Sequence, residues 1–334
     1  MRLSVVIPVY NEADQVVETI QSATAAVREE PAFADSEIVV SDDGSTADVA
    51  SPALAAADGV PVRIERLSTN SGRFEARRAG LHAAEGEIVL FIDAGVTLVP
   101  GSLAFVAPRV DQGRDVWNAH TEIETEGSLF ALFWKVVTSL AFGDYVDHPR
   151  ETSFGVDEFD RFPKGTTCFL APRSLLVEAF DAFRSRYADT RNANDDGPII
   201  RWVAARSRVN IAPSFACVYT PRRTLRSFVK HALHRGVVFV DGHGRPESRF
   251  FPLVVAFFPV SAALAVATVK RPLVAPLAAL GVAGAAAVAA SRRRRSTEET
   301  LAFAALAPVY AVAHGVGMWR GAALALAGRL RQRT

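Results

Sequence analysis

The N-terminal part of the chain alternates short apolar runs with longer segments in which apolar positions recur at helical spacing. Runs rich in Val, Ile and Leu predict buried strands at residues 3–9, 37–41, 62–66 and 87–92. The spacing between them predicts helices at 13–29, up to 57 and at 72–84. Strands that alternate with helices predict an α/β fold, with a mostly parallel sheet and helices on both of its faces.

Polar clusters follow several of these predicted strands. Asn11 and Glu12 come after the first strand, Asp42 and Asp43 after the second, and Asp93 after the last. In open α/β sheets the carboxyl ends of parallel strands meet along one edge, where ligands bind. We therefore expect these side chains to converge on a ligand. The Asp-Asp-Gly-Ser sequence is also favourable turn chemistry, so a turn and a binding role both stay open for the aspartate pair.

The middle of the chain has a mixed pattern. It predicts a helix at 102–112, a strand at 116–123, an apolar helix at 129–142, an irregular polar segment at 144–162 and a helix that begins near 198. The apolar helix is expected to pack either on the sheet or on a membrane surface.

Apolar stretches dominate the C-terminal part of the chain, at residues 250–269, 272–290 and 301–319. The first two contain no charged residue and are long enough to cross a bilayer. The third contains His314, and we expect a further span or an interfacial helix there. We divide the chain into a sheet domain at 1–225, a basic juxtamembrane segment at 226–249 and a transmembrane or interfacial helical region at 250–334.

The basic link at 292–295 indicates the orientation of this helical region. Clustered arginines favour the cytosolic side, where two spans would return a chain whose N-terminal part is cytosolic. A third span would place Arg329, Arg331 and Arg333 on the opposite side, against this rule. The N-terminus leads directly into the first predicted strand with no signal-peptide pattern. We expect a multi-pass protein of the cell membrane whose catalytic domain is cytosolic.

Composition narrows the classes of partner. A formal net charge of +1, with 22% charged residues, gives no general case for binding nucleic acid. A hydrophobic fraction of 49% favours a folded core over disorder. Cys168 and Cys217 lack the spacing of a disulfide framework or of a metal site, so we expect two buried thiols in a reducing compartment.

Motifs in the N-terminal part follow a particular order: SVVIPVYNE from Ser4, VVSDDGS from Val39, NSGRFEARRAGL from Asn70 and VLFIDAG from Val89. Together they resemble the family-2 glycosyltransferases with the GT-A fold, and the resemblance extends over residues 1–205. The apolar C-terminal hairpin is similar to that of membrane-bound members. The resemblance implies a Rossmann-like sheet and an inverting transfer of a sugar from a nucleoside diphosphate sugar to an acceptor at the cytosolic membrane face. A glycan, a lipid-linked acceptor or a cell-surface glycan precursor is expected, because the spans would tie the active site to the bilayer.

The resemblance also implies a nucleotide-sugar site. Its nucleoside-binding positions correspond to Pro8, Tyr10, Glu12, Asp42 and Asp43. Arg77 corresponds to a contact with the base or the phosphates, since a guanidinium group suits both. The loop at 164–167 sits where the family places a loop near the donor sugar or the acceptor, and a plain turn is the alternative.

Asp93 departs from the family pattern. The family shows Asp-X-Asp at this place, which holds a divalent metal against the diphosphate, whereas this chain reads Asp93-Ala94-Gly95. One carboxylate can still hold Mg²⁺ or Mn²⁺ together with phosphates and water. We expect a divalent metal at Asp93, and the alternative is that cationic side chains stabilise the diphosphate.

Asp195 and Asp196 are the candidates for the catalytic base. They lie in NDDGPIIRW, which resembles the family's acidic pair followed by an apolar residue and an arginine. The resemblance aligns Asp196 with the base that takes the proton of the acceptor hydroxyl, and the adjacent carboxylates can raise one another's pKa. A helix N-cap, with Pro198 in the first turn, is the alternative.

Basic residues cluster after the sheet domain. The resemblance implies that Arg222 and Arg223 belong to a segment that closes over the diphosphate. Arg222, Arg226 and Lys230 are spaced by four, so they share one face if the segment is helical. An interfacial helix that binds anionic lipid headgroups is therefore the alternative.

Other functions stay open at this point. A nucleotidyltransferase or a nicotinamide-dependent enzyme would use a similar sheet, but neither a G-x-G-x-x-G pattern nor a Gly-rich basic loop follows the first strand. A non-catalytic membrane protein that keeps the fold is the other alternative, and Gly95 in place of a second aspartate supports it.

Overall fold

The computed structural model describes residues 1–221 and 223–331. The chain divides into two compact units. The first consists of Met1–Glu124, Asp144–Arg184 and Asp195–Thr220. The second consists of Thr125–Gly143, Ser185–Asn194 and the chain from Pro221 onward. The boundaries predicted at 225 and 249 stay a prediction.

The strands lie in the first unit. They are β1 (Leu3–Val9), β2 (Ser36–Asp42), β3 (Val62–Arg66), β4 (Ile88–Ile92), β5 (Val96–Leu98), β6 (Trp117–Asn118), β7 (His120–Ile123), β8 (Thr152–Phe154), β9 (Cys168–Pro172), β10 (Val209–Ile211) and β11 (Ala216–Tyr219). In the described residues they form an eight-stranded sheet of order β3-β2-β1-β4-β9-β6-β10-β8 and a three-stranded sheet of order β5-β11-β7.

The helices are distributed over both units. They are α1 (Ala13–Glu29), α2 (Ala50–Ala56), α3 (Arg73–Ala83), α4 (Ser102–Asp111), α5 (Leu129–Val146), α6 (Arg173–Ala182), α7 (Asp196–Ala204), α8 (Leu225–His243), α9 (Phe251–Lys270), α10 (Val274–Arg292) and α11 (Thr297–Arg331).

The predicted parallel sheet is confirmed at its centre. β1 pairs in parallel with β2 on one side and with β4 on the other, and β2 pairs in parallel with β3. Every residue of β1, β2 and β4 is buried, which explains why each strand contains at least three consecutive apolar residues. Val16, Ile20 and Val27 of α1 belong to the same core, as their spacing predicts. The order of strands along the chain reverses next to β1, and that is where an open α/β sheet binds ligands.

The far side of the sheet differs from the prediction. β9, which the apolar pattern does not predict, lies antiparallel between β4 and β6. The predicted single strand at 116–123 is wrong, because it divides at Ala119 into β6 and β7, which belong to different sheets. The backbone changes partners at this point: the N–H of Ala119 donates to the carbonyl of Cys168 in β9, whereas the N–H of His120 donates to the carbonyl of Phe215, directly before β11.

The segment at 144–162 is also more regular than predicted. It contains the end of α5 and the short strand β8, which pairs antiparallel with β10. Phe142 has non-helical backbone angles, with φ −136° and ψ 31°, so α5 is kinked just before Gly143, where the second unit gives way to the first.

The second unit is helical, and its tightest crossing is made by glycines. A Cβ on Gly236 of α8 would lie 2.0 Å from the backbone oxygen of His314, and one on Gly317 of α11 would lie 2.0 Å from that of Leu233. Any larger residue would push α8 and α11 apart. Phe133 of α5 packs against Phe228 of α8, so the predicted apolar helix packs on its helical neighbours in this unit.

Membrane-span candidates are concentrated in the second unit. By length and composition, the described helices that are apolar enough to cross a membrane are α5, α9, α10 and Thr297–Gly328 of α11. The stretch predicted at 301–319 is therefore part of a helix of 35 residues. How many of these helices cross a membrane, and in which orientation, stays a prediction.

Candidate active site

The polar clusters after β1 and β2 meet at one edge of the sheet, as the strand pattern predicts. Val9 pairs with Asp42 in the parallel ladder, and the backbone N–H of Asp43 donates to the carbonyl of Val9 at 2.9 Å. Asn11 has a positive φ of 55°, and its amide oxygen accepts from the backbone N–H of Thr46 at 2.8 Å. Side chains thus join the two loops that leave these strands.

Asp42 combines a turn with an ion pair. It is buried, and its Oδ1 accepts from the backbone N–H of Ser45 at 2.8 Å. Its Oδ2 lies 3.6 Å from Nε of Arg66 on the neighbouring strand β3. The turn interpretation of this sequence is therefore correct for Asp42, and a contact with a nucleoside stays a prediction.

Asp43 holds the loop that precedes α3. Its Oδ1 accepts from the backbone N–H of Ser71 at 2.7 Å, and its Oδ2 accepts from that of Gly72 at 2.9 Å. Gly72 has a φ of 96°, a conformation that favours glycine, and it precedes the first residue of α3. Asp43 therefore fixes the position at which α3 begins.

The other predicted nucleoside contacts differ in exposure. Pro8 is buried within β1, and Glu12 is half-buried before α1. Tyr10 is 41% exposed at the end of β1, so its ring is accessible to a ligand. The roles of all three remain predictions.

Arg77 of α3 joins two further parts of the first unit. Its side chain is fully buried, and its Nη2 donates to Oδ1 of Asp93, directly after β4, at 2.6 Å. Its Nη1 donates to Oδ2 of Asp195 at 2.7 Å and to Oδ1 of Asp196, at the start of α7, at 3.2 Å. We call Asp93, Asp195, Asp196 and Arg77 the carboxylate cluster.

Charge balance keeps this guanidinium protonated. Burial acts to lower the pKa of Arg77, but the surrounding charges of Asp93, Asp195 and Asp196 outweigh burial and raise that pKa. A charged arginine is stable in the core here because ionised partners surround it.

The two adjacent aspartates have opposite environments. Asp195 is almost completely buried, and burial, reinforced by the charge of Asp196, raises its pKa despite Arg77. The Asp196 side chain is one-third exposed. Burial also acts to raise the pKa of Asp196, but Arg77, Arg73 and hydrogen bonds from Thr166 lower it overall. The raised pKa expected for an adjacent carboxylate is therefore found at Asp195 and not at Asp196, which is the more accessible member of the pair.

Thr166 supplies the remaining contacts to Asp196. It is fully buried, its hydroxyl donates to Oδ1 of Asp196, and its backbone N–H lies 3.4 Å from the same oxygen. The next carbonyl, of Thr167, accepts from the backbone N–H of Asp93 at 2.9 Å. The loop predicted to lie near the donor sugar or the acceptor thus contacts both ends of the carboxylate cluster.

The sequence model of Glycosyl transferase family 2 matches residues 4–147. These residues include β1, β2, the loop before α3, Arg77 and Asp93. The chain carries a family 2 glycosyltransferase domain.

Curated relatives of this domain are transferases named for a lipid phosphate. An undecaprenyl-phosphate 4-deoxy-4-formamido-L-arabinose transferase of Pseudomonas aeruginosa (strain LESB58) is 38% identical over 188 residues, or 55% of this chain and 50% of that protein. One of the same name from Enterobacter sp. (strain 638) is 35% identical over 117 residues, or 34% of this chain and 35% of that protein. The chain thus spans about a third to a half of the length of the curated relatives it matches.

Solved structures share the fold at low sequence identity. A mannosyltransferase from Pyrobaculum calidifontis, in complex with GDP-Man and Mn²⁺, matches 95% of this chain and 86% of its own, with a TM-score of 0.57 and 19% identity. TarS 1–349 of S. aureus, in complex with UDP-GlcNAc, matches 96% of this chain and 92% of its own, with a TM-score of 0.55 and 15% identity. The predicted GT-A fold is confirmed.

The residues of the family 2 domain offer a metal one ligand, the carboxylate of Asp93. Among the described residues no group of His, Cys, Asp or Glu is arranged to hold an ion by itself. Oδ1 of Asp93 accepts from Arg77, whereas its Oδ2 has no hydrogen-bond partner within the described ranges, and the side chain is 21% exposed. One free carboxylate oxygen suits a cation whose other ligands are phosphates and water.

The predicted diphosphate contacts have no described geometry at this site. Arg222 lies outside the described residues. Arg223 is exposed and belongs to the second unit, just before α8. Their place over a diphosphate stays a prediction.

Sequence reasoning did not find the burial of Arg77 or the contact made by Thr166. A signal for the first was available, because Arg77 shares a helical face with Phe74, Gly80 and Leu81, all of which are buried. An arginine on the buried face of a helix requires carboxylate partners. Thr166 has no such signal, since its partner Asp196 is 30 residues away along the chain.

Proposed function

We propose that this chain transfers a sugar, with inversion, from a nucleoside diphosphate sugar to a polyprenyl phosphate acceptor at the cytosolic face of the cell membrane. The observation that carries the proposal is the carboxylate cluster. Arg77 binds both Asp93, at the carboxyl edge where a donor diphosphate would lie, and Asp196, the candidate base. Donor and acceptor would therefore meet within one site.

The nucleoside would bind at the carboxyl ends of β1 and β2. The proposed contacts are Pro8, Tyr10, Glu12, Asp42 and Asp43. Tyr10 supports this place because its ring is accessible beside the buried aspartates. The proposal assigns Arg222 and Arg223 to the diphosphate.

A Mg²⁺ or Mn²⁺ ion would be held by Asp93 and the diphosphate. Bound there, it would offset the charge that develops on the leaving diphosphate. The free Oδ2 of Asp93 supports this assignment, and the presence of Mn²⁺ in the Pyrobaculum calidifontis mannosyltransferase agrees with it. Within the chain, Arg77 fixes Asp93 in place through the hydrogen bond to its Oδ1.

Asp196 would act as the base on the face opposite the leaving group. The attacking oxygen of the acceptor bonds to the anomeric carbon, the bond from that carbon to the diphosphate breaks, and the proton of the attacking oxygen moves to Asp196. Its lowered pKa keeps the carboxylate in its ionised form before the acceptor binds.

The acceptor class rests on the relatives and on the apolar helices. The curated relatives are named for transfer to undecaprenyl phosphate. α9 and α10 expose apolar side chains along their length, as helices in contact with lipid do. The basic link from Arg292 to Arg295 supports a cytosolic return after two spans.

A transfer assay with the full-length protein in detergent or membranes tests the proposal. Radiolabelled UDP- and GDP-sugars are offered with polyprenyl monophosphate, and labelled lipid and free nucleoside diphosphate are measured with and without a chelator. Asp196→Asn removes the base, and Asp160→Asn, which alters an exposed pair with Arg201, is the matched control.

The expected result is a labelled lipid from at least one donor, formed by the wild type and the control but strongly reduced in Asp196→Asn. No labelled lipid from any donor would reject the transfer and favour a non-catalytic protein. Product formation that a chelator does not affect would reject the metal.

A further inference from the structure

We infer that Thr166 and Arg77 are positioning residues that hold Oδ1 of Asp196 and leave its Oδ2 to receive the acceptor's proton. This inference rests on the proposed function, because it assigns how the proposed base is aimed. It also gives Arg77 a role different from direct contact with the nucleotide.

Arg77 is suited to positioning by its own anchors. Its guanidinium is fully buried, and its two terminal nitrogens point to different structural elements. Nη2 binds Asp93 after β4, while Nη1 binds Asp195 and Asp196 at the start of α7. Because a guanidinium is planar and rigid, it sets the spacing between these carboxylates.

Thr166 holds the same oxygen from another direction. Its buried hydroxyl and its backbone N–H both face Oδ1 of Asp196. The adjacent Thr167 carbonyl holds the backbone of Asp93. The side chain of Asp196 is thereby fixed relative to Asp93, which lies on the proposed donor side.

The remaining oxygen of Asp196 is available. Within the described parts of the chain, Oδ2 of Asp196 accepts no hydrogen bond, and one-third of the side chain is exposed. With Oδ1 engaged by Arg77 and Thr166, Oδ2 is the oxygen able to take a proton from an incoming acceptor. A base aimed in this way is what a near-attack arrangement requires.

The sharpest test uses a matched pair at Thr166. Thr166→Val keeps the branched shape but removes the hydroxyl, and Thr166→Ser keeps the hydroxyl. In the transfer assay we expect kcat of Thr166→Val to fall roughly 10- to 100-fold, as a displacement of about 1 Å does. We expect the donor KM to stay unchanged and Thr166→Ser to remain close to the wild type.

A second test uses Arg77→Lys, with Arg63→Lys as its control. Lysine keeps the charge of Arg77 but cannot donate to Asp93 and to the Asp195–Asp196 pair at the same time. Arg63, in β3, forms an exposed pair with Glu85. We expect a lower kcat for Arg77→Lys with unchanged affinity for UDP or GDP, measured directly by calorimetry. Arg63→Lys should change neither quantity.

Specific outcomes would overturn the inference. Wild-type kcat in Thr166→Val would remove the role of the hydroxyl. Affinity for UDP or GDP that is at least about tenfold weaker in Arg77→Lys, equal to 1.4 kcal/mol, would make Arg77 a nucleotide contact instead. If Arg77→Lys does not fold, the Thr166 pair, which leaves every charge in place, decides the inference.

Failure of the proposed function is distinguishable from failure of this inference. A wild type that transfers no sugar rejects the function, and the nucleotide affinities of wild type and Arg77→Lys still decide the role of Arg77. Equal affinities would support positioning, and unequal affinities would overturn it.

Discussion

Two Asp-Asp pairs lie at the sheet edge of the first unit and are stabilised in different ways. In the pair Asp42 and Asp43, hydrogen bonds come from the backbone N–H groups of Ser45, Ser71 and Gly72. In the pair Asp195 and Asp196, they come chiefly from the side chains of Arg77 and Thr166. The same dipeptide thus binds the backbone of loops in the first pair, whereas in the second pair it is held by the side chains of distant residues.

This difference indicates that the first pair stabilises the fold and that the second pair contains the residue able to act in catalysis. Both oxygens of Asp43 are engaged by the loop, whereas Asp196 has one engaged and one available oxygen. A carboxylate with both oxygens bound to backbone stabilises the fold, and a carboxylate held through one oxygen remains able to accept a proton. Each of the following predictions tests one side of this contrast.

The largest effect is expected from Arg77→Met. It leaves the buried Asp195 without its cation, and breaking a buried ion pair costs about 3–5 kcal/mol. We expect the melting temperature of the full-length protein in detergent to fall by roughly 10 °C. Arg28→Met, which removes an exposed pair with Asp58, is the control and should melt close to the wild type. An equal melting temperature for both variants would contradict the role of Arg77 as the scaffold of the second pair.

The next effect is on catalysis. Asp196→Asn removes the base but keeps a neutral oxygen for Arg77 and Thr166, so kcat near pH 6 should fall about 100- to 1,000-fold. The affinity for UDP or GDP should remain unchanged. Asp160→Asn gives the background effect of an exposed carboxylate. A kcat within a few-fold of the wild type would show that this pair, like the first, is architectural.

The first pair should respond in stability. Asp43→Asn replaces one of two acceptors of backbone N–H groups by an amide donor, so one buried N–H loses its partner. We expect a loss of about 1–3 kcal/mol in the free energy of unfolding, measured by denaturant titration. Nucleotide affinity should fall as the loop before α3 loosens. Unchanged stability would show that Ser71 and Gly72 do not depend on Asp43.

The smallest effect is a change with pH. The lowered pKa of Asp196 keeps the base ionised at pH 6. A phosphate monoester such as the proposed acceptor loses its second proton near a pKa of about 6. The ratio of wild-type to Asp196→Asn kcat should therefore be largest near pH 6 and shrink toward pH 8, where a fully ionised acceptor needs no base. A ratio that is constant from pH 6 to 8 would indicate attack by a hydroxyl instead.

The central sheet could be predicted because its signals are local. β1 and β3 have the predicted bounds, and the polar ends of β1 and β2 meet because parallel pairing requires it. β9 and the break at Ala119 could not, since both depend on which strands lie alongside them. The change of backbone partner from Cys168 at Ala119 to Phe215 at His120, which makes that break, arises only in the folded sheets.

The candidate site was predictable in its residues more than in its contacts. Asp93 and Asp196 follow from the resemblance, but the guanidinium that binds both comes from a third segment of the chain. The resemblance pointed to Arg77 as a ligand contact, whereas the apolar spacing around it pointed to burial. Long-range pairing of charges leaves little mark on a single sequence.

The burial of Arg77 among aspartates limits which substitutions this protein tolerates during evolution. Loss of Arg77 alone leaves the buried charge of Asp195 without its cation, whereas loss of Asp195 alone leaves Arg77 paired with Asp93 and Asp196. A change at position 77 should therefore be accompanied by a change at position 195, whereas position 195 is able to vary while Arg77 is kept. The hydrogen bonds that Asp43 accepts from Ser71 and Gly72 come from backbone N–H groups, which every residue except proline supplies.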